Sequence, residues 1–118
     1  TAEIYRVVEN LPEIADSLVV GQDWEDDERV ILFVKLNDNS DLTEDLRKSI
    51  KSSIRTNCSP RHVPSKILPI ADIPYTINLK KVEIAVRKMI HGEEVKNKDA
   101  LANPDSLELF RDLTELQS

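Results

Sequence analysis

The sequence predicts an α+β fold, in which a small sheet of about three strands has helices packed on it. Three apolar runs, at residues 17–21, 30–36 and 66–70, have the composition of buried strands. Between and after these runs, apolar residues recur at helical spacing. A chain of 118 residues is most simply one domain, here with one helix layer on one sheet layer.

A helix and two strands are predicted first. The helix stops before Pro12 and has one apolar face, formed by Ile4, Val7, Val8 and Leu11. Acidic residues 23–28 separate the first two strands and predict an exposed hairpin loop. Trp24 in this loop is expected either to contact another domain or to fold back on the sheet.

A second helix and the third strand follow. Thr43 is suited to cap this helix, because its hydroxyl can accept a hydrogen bond from a free backbone N–H. The apolar stripe of the helix consists of Leu46, Ile50 and Ile54. Pro69 lies in the third apolar run, and since proline has no backbone N–H, it predicts a strand that lies at a sheet edge or ends early.

A third helix is predicted at residues 82–90, with Gly92 just past its end, where a left-handed conformation is common. His91 is expected to bind carbonyls of the last helical turn. Asn103 and Pro104 then predict the cap and first residue of a final helix. The apolar face of that helix consists of Leu107, Phe110 and Leu113.

Charge is unevenly distributed along the chain. The formal net charge is −6. Residues 1–45 carry 13 acids and 3 bases, residues 46–91 carry 10 bases and 2 acids, and residues 92–118 carry 7 acids and 3 bases. The middle segment is therefore expected to face an anion. Residues 47–66 hold six bases and no acid or aromatic residue, so a phosphorylated cofactor fits them as well as a nucleic acid does.

Several site types are disfavoured by composition. The one cysteine, Cys58, allows no internal disulfide, which favours a reducing cytosol. No apolar run is long enough to cross a bilayer. Gly21 and Gly92 are the only glycines, so a glycine-rich phosphate loop is absent. His62 and His91 lack partners at metal-ligand spacing, so no metal site is predicted.

The most informative stretch is residues 74–81, which read Pro-Tyr-Thr-Ile-Asn-Leu-Lys-Lys. Lys80 and Lys81 stand just before the third predicted helix, where cations oppose the helix dipole. One interpretation is two solvated lysines. The others are that the helix starts later or that an anion lies nearby.

This stretch resembles the last core motif of the adenylate-forming acyl-CoA synthetases. Residues 16–21, 30–36 and 59–64 also resemble the C-terminal domain of that family. Residues 95–104 resemble the tail of its acetoacetyl-CoA synthetase branch. The resemblance therefore covers nearly the whole chain.

The resemblance implies an acetoacetate–CoA ligase that uses ATP and CoA and acts in the cytoplasm. Residues 1–118 would form its mobile C-terminal domain, and residues 93–118 would include a subfamily tail with a final helix. The partner would be the enzyme's own large N-terminal ATP-binding domain, which would hold the acyl pocket and Mg²⁺. No nucleic acid and no membrane are implied as partners.

Lys80 aligns with the lysine that serves adenylate formation in this family. The family usually has glycine before this lysine, whereas this chain has Leu79. If the family loop uses a positive φ there, leucine strains it. Alignment still favours Lys80 over Lys81, and Lys81 is expected to contribute little. Arg61 is the candidate contact for a phosphate of AMP or CoA.

The alternative from residue types alone is a non-enzymatic α+β binding module. Its basic face would dock nucleic acid or an acidic partner. Such a module acts alone, whereas a ligase domain requires its large partner domain.

Overall fold

The computed structural model describes residues 2–37, 40–78, 81–95, 100–111 and 113–117. The helices and strands of these residues are α1 Ala2–Val8, β1 Ile14–Trp24, β2 Asp27–Leu36, α2 Glu44–Asn57, β3 Lys66–Pro69 and α3 Glu83–Ile90. Short 3₁₀ helices cover Pro60–His62, Pro104–Phe110 and Thr114–Gln117. The α+β class predicted from the sequence is confirmed. Within the described residues, no helix is both long and apolar enough to span a membrane.

The three strands form one mixed sheet in the order β1-β2-β3. β1 pairs antiparallel with β2, and β3 pairs parallel with β2. β3 is therefore an edge strand, and it ends at Pro69, as the missing backbone N–H of proline predicted.

The β1–β2 hairpin is tighter than the sequence predicted. The strands continue through Trp24 and Asp27, and only Glu25 and Asp26 form the turn. Their φ angles are 49° and 64°, the pair of positive values that a type I′ turn requires. The guanidinium of Arg29 lies 4.0 Å from the centroid of the Trp24 ring, so this ring is covered from within its own hairpin.

The sheet is covered on both faces, so the molecule has three layers rather than the two expected. Because successive strand residues point to opposite faces, Ile31 and Phe33 enter one core while Leu32 and Val34 enter another. Residues of α1 and α2 pack on the second face, and residues of α3 and the C-terminal tail pack on the first. A continuous apolar strand is typical of burial on both faces, and the run at residues 30–34 carried that signal.

The predicted helix ends are confirmed for α2 and α3. Thr43 Oγ1 accepts a hydrogen bond from the Leu46 N–H at 3.1 Å. At the end of α3, Gly92 has a φ of 74°, and His91 Nδ1 lies 2.6 Å from the Arg87 carbonyl oxygen. Both ends therefore follow from local chemistry that the sequence displays.

The free edge of β1 is closed by side chains rather than by another strand. Four side chains bind outward-facing backbone groups of β1: Lys81 at the Ser17 carbonyl, Tyr5 at the Val19 N–H, Arg87 at the Gly21 carbonyl and His91 at the Asp23 N–H. Backbone groups that already have partners are not available to pair with a strand of another chain. These contacts also join α1 and α3 to the sheet.

The tail after α3 packs on the sheet face that includes Phe33. The rings of Phe110 and Phe33 meet edge to face, with centroids 4.7 Å apart. Leu107 is also fully buried, so the predicted apolar face of this segment is confirmed. This helix is a 3₁₀ helix that begins at Pro104, as predicted, but Asn103 makes no side-chain cap, so that part of the prediction was wrong.

Candidate active-site loop

The lysine motif forms a loop between β3 and α3. Tyr75 and Lys81, which flank residues 76–80 in the sequence, pair as an antiparallel bridge at its base. Ile77 projects from this loop with 66% of its surface exposed. Leu79 and Lys80 lie outside the residues that the structure describes, so the catalytic assignment of Lys80 stays a prediction.

The C-terminal tail forms a second strand-like segment beside the loop. Two backbone hydrogen bonds join the segments, from the Ile77 N–H to the Ala100 carbonyl (3.0 Å) and from the Ala102 N–H to the Tyr75 carbonyl (2.9 Å), and together they form an antiparallel bridge between Thr76 and Leu101. The tail that resembles the acetoacetyl branch is thus in direct contact with the motif that resembles the wider family.

Asn103 fixes the start of the loop instead of capping a helix. Its Oδ1 accepts from the Tyr75 N–H at 2.9 Å, and its Nδ2 donates to the Ile73 carbonyl at 2.8 Å and to Asp72 at 3.1 Å. Burial raises the pKa of Asp72, but hydrogen bonds from Asn103, Lys35 and the Ile73 N–H outweigh burial. The pKa of Asp72 therefore lies below its ordinary value.

Lys81 is an internal cation, so the interpretation of two solvated lysines is wrong for this residue. Its Nζ lies 2.7 Å from Glu9 Oε2 and 3.0 Å from Asp16 Oδ1, and it also donates to the Ser17 carbonyl. The same ammonium lies 4.0 Å from the centroid of the Tyr5 ring. Only 17% of the Lys81 side chain is exposed. The Lys81 charge is therefore used within the domain.

Tyr75 binds the same carboxylate as Lys81. Its hydroxyl donates to Asp16 Oδ2, while Lys81 occupies Asp16 Oδ1. Burial, together with the hydrogen bond to Asp16, raises the pKa of Tyr75 above that of a free tyrosine. The hydroxyl therefore remains a protonated donor at neutral pH.

A surface cleft of about 440 Å³ opens beside the loop. Its lining is mainly apolar with a few charged groups, and it includes Thr76, Val82, Ile84, Lys88 and Leu101. Ile84, at the start of α3, is 75% exposed. The surface next to the lysine loop thus presents apolar side chains to its surroundings.

The basic segment lies on α2 and on the connection to β3. Arg61 stands in the 3₁₀ helix Pro60–His62, and its side chain is outside the described part of the structure. In the chain it precedes β3, whereas the lysine loop follows β3. Arg47 is paired with Glu44 at 2.7 Å on an exposed face of α2.

The structure gives the remaining polar candidates ordinary roles. Ser59 Oγ lies 2.7 Å from His62 Nδ1, and Cys58 is a free, half-buried thiol. Within the described residues, no three His, Cys, Asp or Glu side chains are grouped so that they could hold a metal ion.

Comparison with known proteins decides the family. The family described as "AMP-binding enzyme C-terminal domain" matches residues 3–80 of the 118. The chain belongs to this family. The match ends at Lys80, so the part of the tail that contacts the loop, at residues 100–103, lies beyond the family's shared region.

Members of this family resemble the chain to different extents. The acetoacetyl-coenzyme A synthetase of Rhizobium meliloti (strain 1021) is 58% identical over all of this chain. The structure of acetoacetyl-CoA synthetase from Streptomyces lividans superposes on 99% of the chain with a TM-score of 0.88 and 36% identity. The chain spans only 18% of the length of each. The acyl-CoA synthetase of Brucella canis shares the fold over 74% of this chain and 16% of its own, with a TM-score of 0.66 and 24% identity.

These comparisons support the predicted resemblance and give no support to the alternative of a nucleic-acid or acidic-partner module. The α+β fold matches throughout the chain in the Streptomyces lividans structure. About a quarter of the chain lies outside the match to the Brucella canis structure.

Sequence reasoning identified the lysine loop but missed the residues that hold it. Asp16 lies 65 positions before Lys81 and 59 before Tyr75, so no local spacing connects them. Asn103 was interpreted as a cap because it precedes a proline. The charge distribution was the one signal that could have suggested such contacts. Acids dominate residues 1–45 and bases dominate residues 46–91, so ion pairs between these segments, such as Asp16 with Lys81, could have been expected.

Proposed function

We propose that this domain serves an acetoacetate–CoA ligase that works in two steps. In the first step, a carboxylate oxygen of acetoacetate attacks the α-phosphorus of ATP, and pyrophosphate leaves. In the second, the sulfur of CoA attacks the carbonyl carbon of acetoacetyl-AMP, and AMP leaves with the electron pair of the broken C–O bond. The products are acetoacetyl-CoA, AMP and pyrophosphate.

One observation carries this proposal: the chain matches an acetoacetyl-coenzyme A synthetase at 58% identity from end to end. The match includes the tail, which braces the lysine loop through its backbone. A likeness confined to the general fold would leave the acyl substrate open. The chain-length identity favours acetoacetate.

Lys80 is proposed to act in the first step. The carboxylate and the triphosphate are both anionic and repel each other, so a cation held between them lowers the barrier. An ammonium on a long stem suits this task, because it acts as a point charge and can extend from the domain surface.

The surroundings of Lys81 support the choice of Lys80. Lys81 is bound to Glu9 and Asp16 within its own domain. A substrate phosphate could recruit Lys81 only after these contacts were broken, and breaking a mostly buried ion pair typically costs about 3–5 kcal/mol. Lys80 is therefore the better candidate of the pair.

Arg61 is proposed to contact a phosphate of AMP or CoA. It belongs to the stretch at residues 47–66 that has six bases and no acid, and it precedes a rigid Pro-containing segment. A guanidinium can donate two parallel hydrogen bonds to one phosphate.

The partner is proposed to be the large N-terminal domain of the same enzyme, in the cytoplasm. The N-terminal domain would supply the ATP site, the acyl pocket and Mg²⁺. Exposed Ile77 and Ile84 beside the lysine loop fit a surface that such a domain covers. The part proposed for the present domain is to deliver the cation of Lys80.

Single-turnover kinetics on each half-reaction of the full-length enzyme test these roles. Lys80→Ala is expected to slow acetoacetyl-AMP formation by about 10²–10³-fold, the usual effect of removing one group that stabilises transition-state charge. Thioester formation from preformed acetoacetyl-AMP and CoA is expected to remain nearly normal. Arg61→Glu is expected to raise the KM for CoA more than the KM for ATP.

Lys35→Ala is the matched control, since Lys35 makes a half-exposed ion pair with Asp72 and is given no role in either step. It is expected to affect both steps only mildly. If Lys80→Ala leaves adenylate formation intact, the assignment of Lys80 fails. If the unaltered enzyme forms no adenylate with acetoacetate but does so with another acid, the proposed substrate is wrong.

A further inference from the structure

The loop that contains Lys80 has a narrow base. Among the described residues, one antiparallel bridge joins its two ends, between Tyr75 and Lys81, which flank residues 76–80 in the sequence. One bridge fixes few backbone torsions, yet a catalytic group acts well only when it is held within about 0.5 Å of its productive position. Other contacts must therefore restrain this base if Lys80 is to be placed accurately.

Both residues of the base bind one carboxylate. Lys81 Nζ lies 3.0 Å from Asp16 Oδ1, and the Tyr75 hydroxyl donates to Asp16 Oδ2. The Ser17 N–H donates to Asp16 Oδ1 at 2.8 Å and fixes the orientation of the carboxylate. We name Asp16, Tyr75 and Lys81 the Asp16 clamp. It ties the two ends of the loop to the start of β1.

The clamp is enclosed and well satisfied. The side chains of Asp16 and Lys81 are each only 17% exposed. Glu9 supplies a second carboxylate to Lys81, and its Oε2 also accepts from Ser17 Oγ at 2.7 Å. In such a shielded place, hydrogen bonds to charged groups are stronger than those at an open surface.

We propose that the Asp16 clamp positions Lys80 for adenylate formation, with Tyr75, Asp16 and Lys81 as positioning residues. The inference rests on the proposed function of Lys80. Consecutive Cα atoms are 3.8 Å apart, so fixing Lys81 restrains the residue that precedes it. A displacement of about 1 Å at a reacting group can cost about 10²-fold in rate. The clamp therefore acts on the first step through Lys80 and has no part in the second.

Tyr75→Phe in the full-length enzyme is the sharpest test, because it removes one hydroxyl and keeps the ring. Acetoacetyl-AMP formation in single turnover is expected to fall about tenfold, as for the loss of one hydrogen bond to a charged group. Thioester formation from preformed acetoacetyl-AMP is expected to change less than about twofold. Lys81→Met is expected to show the same split more strongly, and Lys81→Arg to recover part of the loss.

Three comparisons separate positioning from simple loss of folding. The thermal midpoint of each variant is recorded, and the kinetics are run well below it. Arg111→Met removes an exposed ion pair with Glu108 in the tail and is expected to alter neither half-reaction. In a Lys80→Ala background, Tyr75→Phe is expected to cause no further loss of adenylate formation, because its effect passes through Lys80.

The outcomes are distinguishable. If Tyr75→Phe slows both half-reactions equally, or slows adenylate formation as much without Lys80 as with it, the clamp does not position Lys80. If the unaltered enzyme forms acetoacetyl-AMP and these variants show no split, only the clamp's role is overturned. If the unaltered enzyme forms no acetoacetyl-AMP, the proposed function fails first and the clamp's role fails with it.

Discussion

Lys80 and Lys81 are chemically identical neighbours, and the structure gives one of them a role that residue type could not reveal. Lys81 lies between Glu9 and Asp16, over the ring of Tyr5. Its ammonium is thereby committed to the domain's own carboxylates. This distinction matters for mutagenesis, because replacing Lys81 disturbs an internal ion cluster and so does not provide a neutral control for Lys80.

A hydrogen bond from Asn103 helps to lower the pKa of Asp72 against the opposing effect of burial, which gives a prediction for pH dependence. The pKa of Asp72 is lower in the folded chain than in the unfolded chain, so the folded chain gives up this proton more readily. Its contribution to stability is therefore present above the unfolded value of 3.8 and is lost as the pH falls through the folded pKa. Asn103→Ala is expected to raise the pKa of Asp72.

The measurement is an NMR titration of the Asp72 carboxyl carbon in the 118-residue chain. Lys35→Met is the comparison, since it removes the other side-chain donor to Asp72 and leaves the loop contacts of Asn103 in place. Both substitutions are expected to raise the pKa. An unchanged pKa in Asn103→Ala would mean that the hydrogen bond at 3.1 Å is absent in solution.

At the level of elements, the lysine loop is assembled from three distant parts of the chain. β1 supplies Asp16, the tail supplies residues 100–103, and the loop itself supplies Tyr75 and Lys81. The shared family region contains the lysine motif, but the tail contacts lie outside it. The tail therefore contacts a motif of the shared family region with residues that lie outside that region.

The β1–β2 hairpin gives an element-scale prediction. Glu25 and Asp26 both adopt positive φ, which costs a non-glycine residue about 1–2 kcal/mol. Asp26→Gly is expected to stabilise the chain by about 1 kcal/mol in urea unfolding, because glycine adopts this conformation without strain.

Asp27→Gly is the matched control for the hairpin, since it removes the same charge one residue later, at the first residue of β2. It is expected to destabilise the chain by about 0.5–1 kcal/mol, because Asp27 has no positive φ for glycine to relieve and glycine loses more backbone entropy on folding. If both variants shift stability in the same direction and by the same amount, the effect is one of charge, and the turn assignment loses its support.

Over the whole molecule, the segregated charges of the sequence meet in space. Lys81 joins Glu9 and Asp16, and Arg87 joins Asp23 and Glu28, each across at least 59 positions. Part of the positive charge at residues 46–91 is therefore neutralised inside the domain. Less of it faces an external anion than the sequence predicted.

The whole-molecule prediction concerns the chain by itself. Two hydrophobic cores, one on each face of the sheet, are expected to let the 118-residue chain fold alone. The isolated chain is nevertheless expected to show no ATP–pyrophosphate exchange with acetoacetate and no tight ATP binding in calorimetry. Micromolar affinity for ATP would contradict a site shared with a large partner domain.

The sequence alone determined the features that depend on neighbours along the chain. Thr43 capped its helix, Gly92 ended another, and Pro69 closed an edge strand, because each effect needs only a few adjacent residues. The lysine motif was likewise recognisable as a contiguous stretch. These are the parts of the fold and of the candidate site that could be predicted.

Only the tertiary structure decided which distant groups meet. The second helix layer, the capture of Lys81 by Asp16, and the use of Asn103 to hold Tyr75 all join residues that are far apart in the chain. Such contacts depend on how the sheet and helices pack, and periodicity does not specify their partners. The base of the lysine loop is therefore a product of packing, while the lysine motif it supports is a product of sequence.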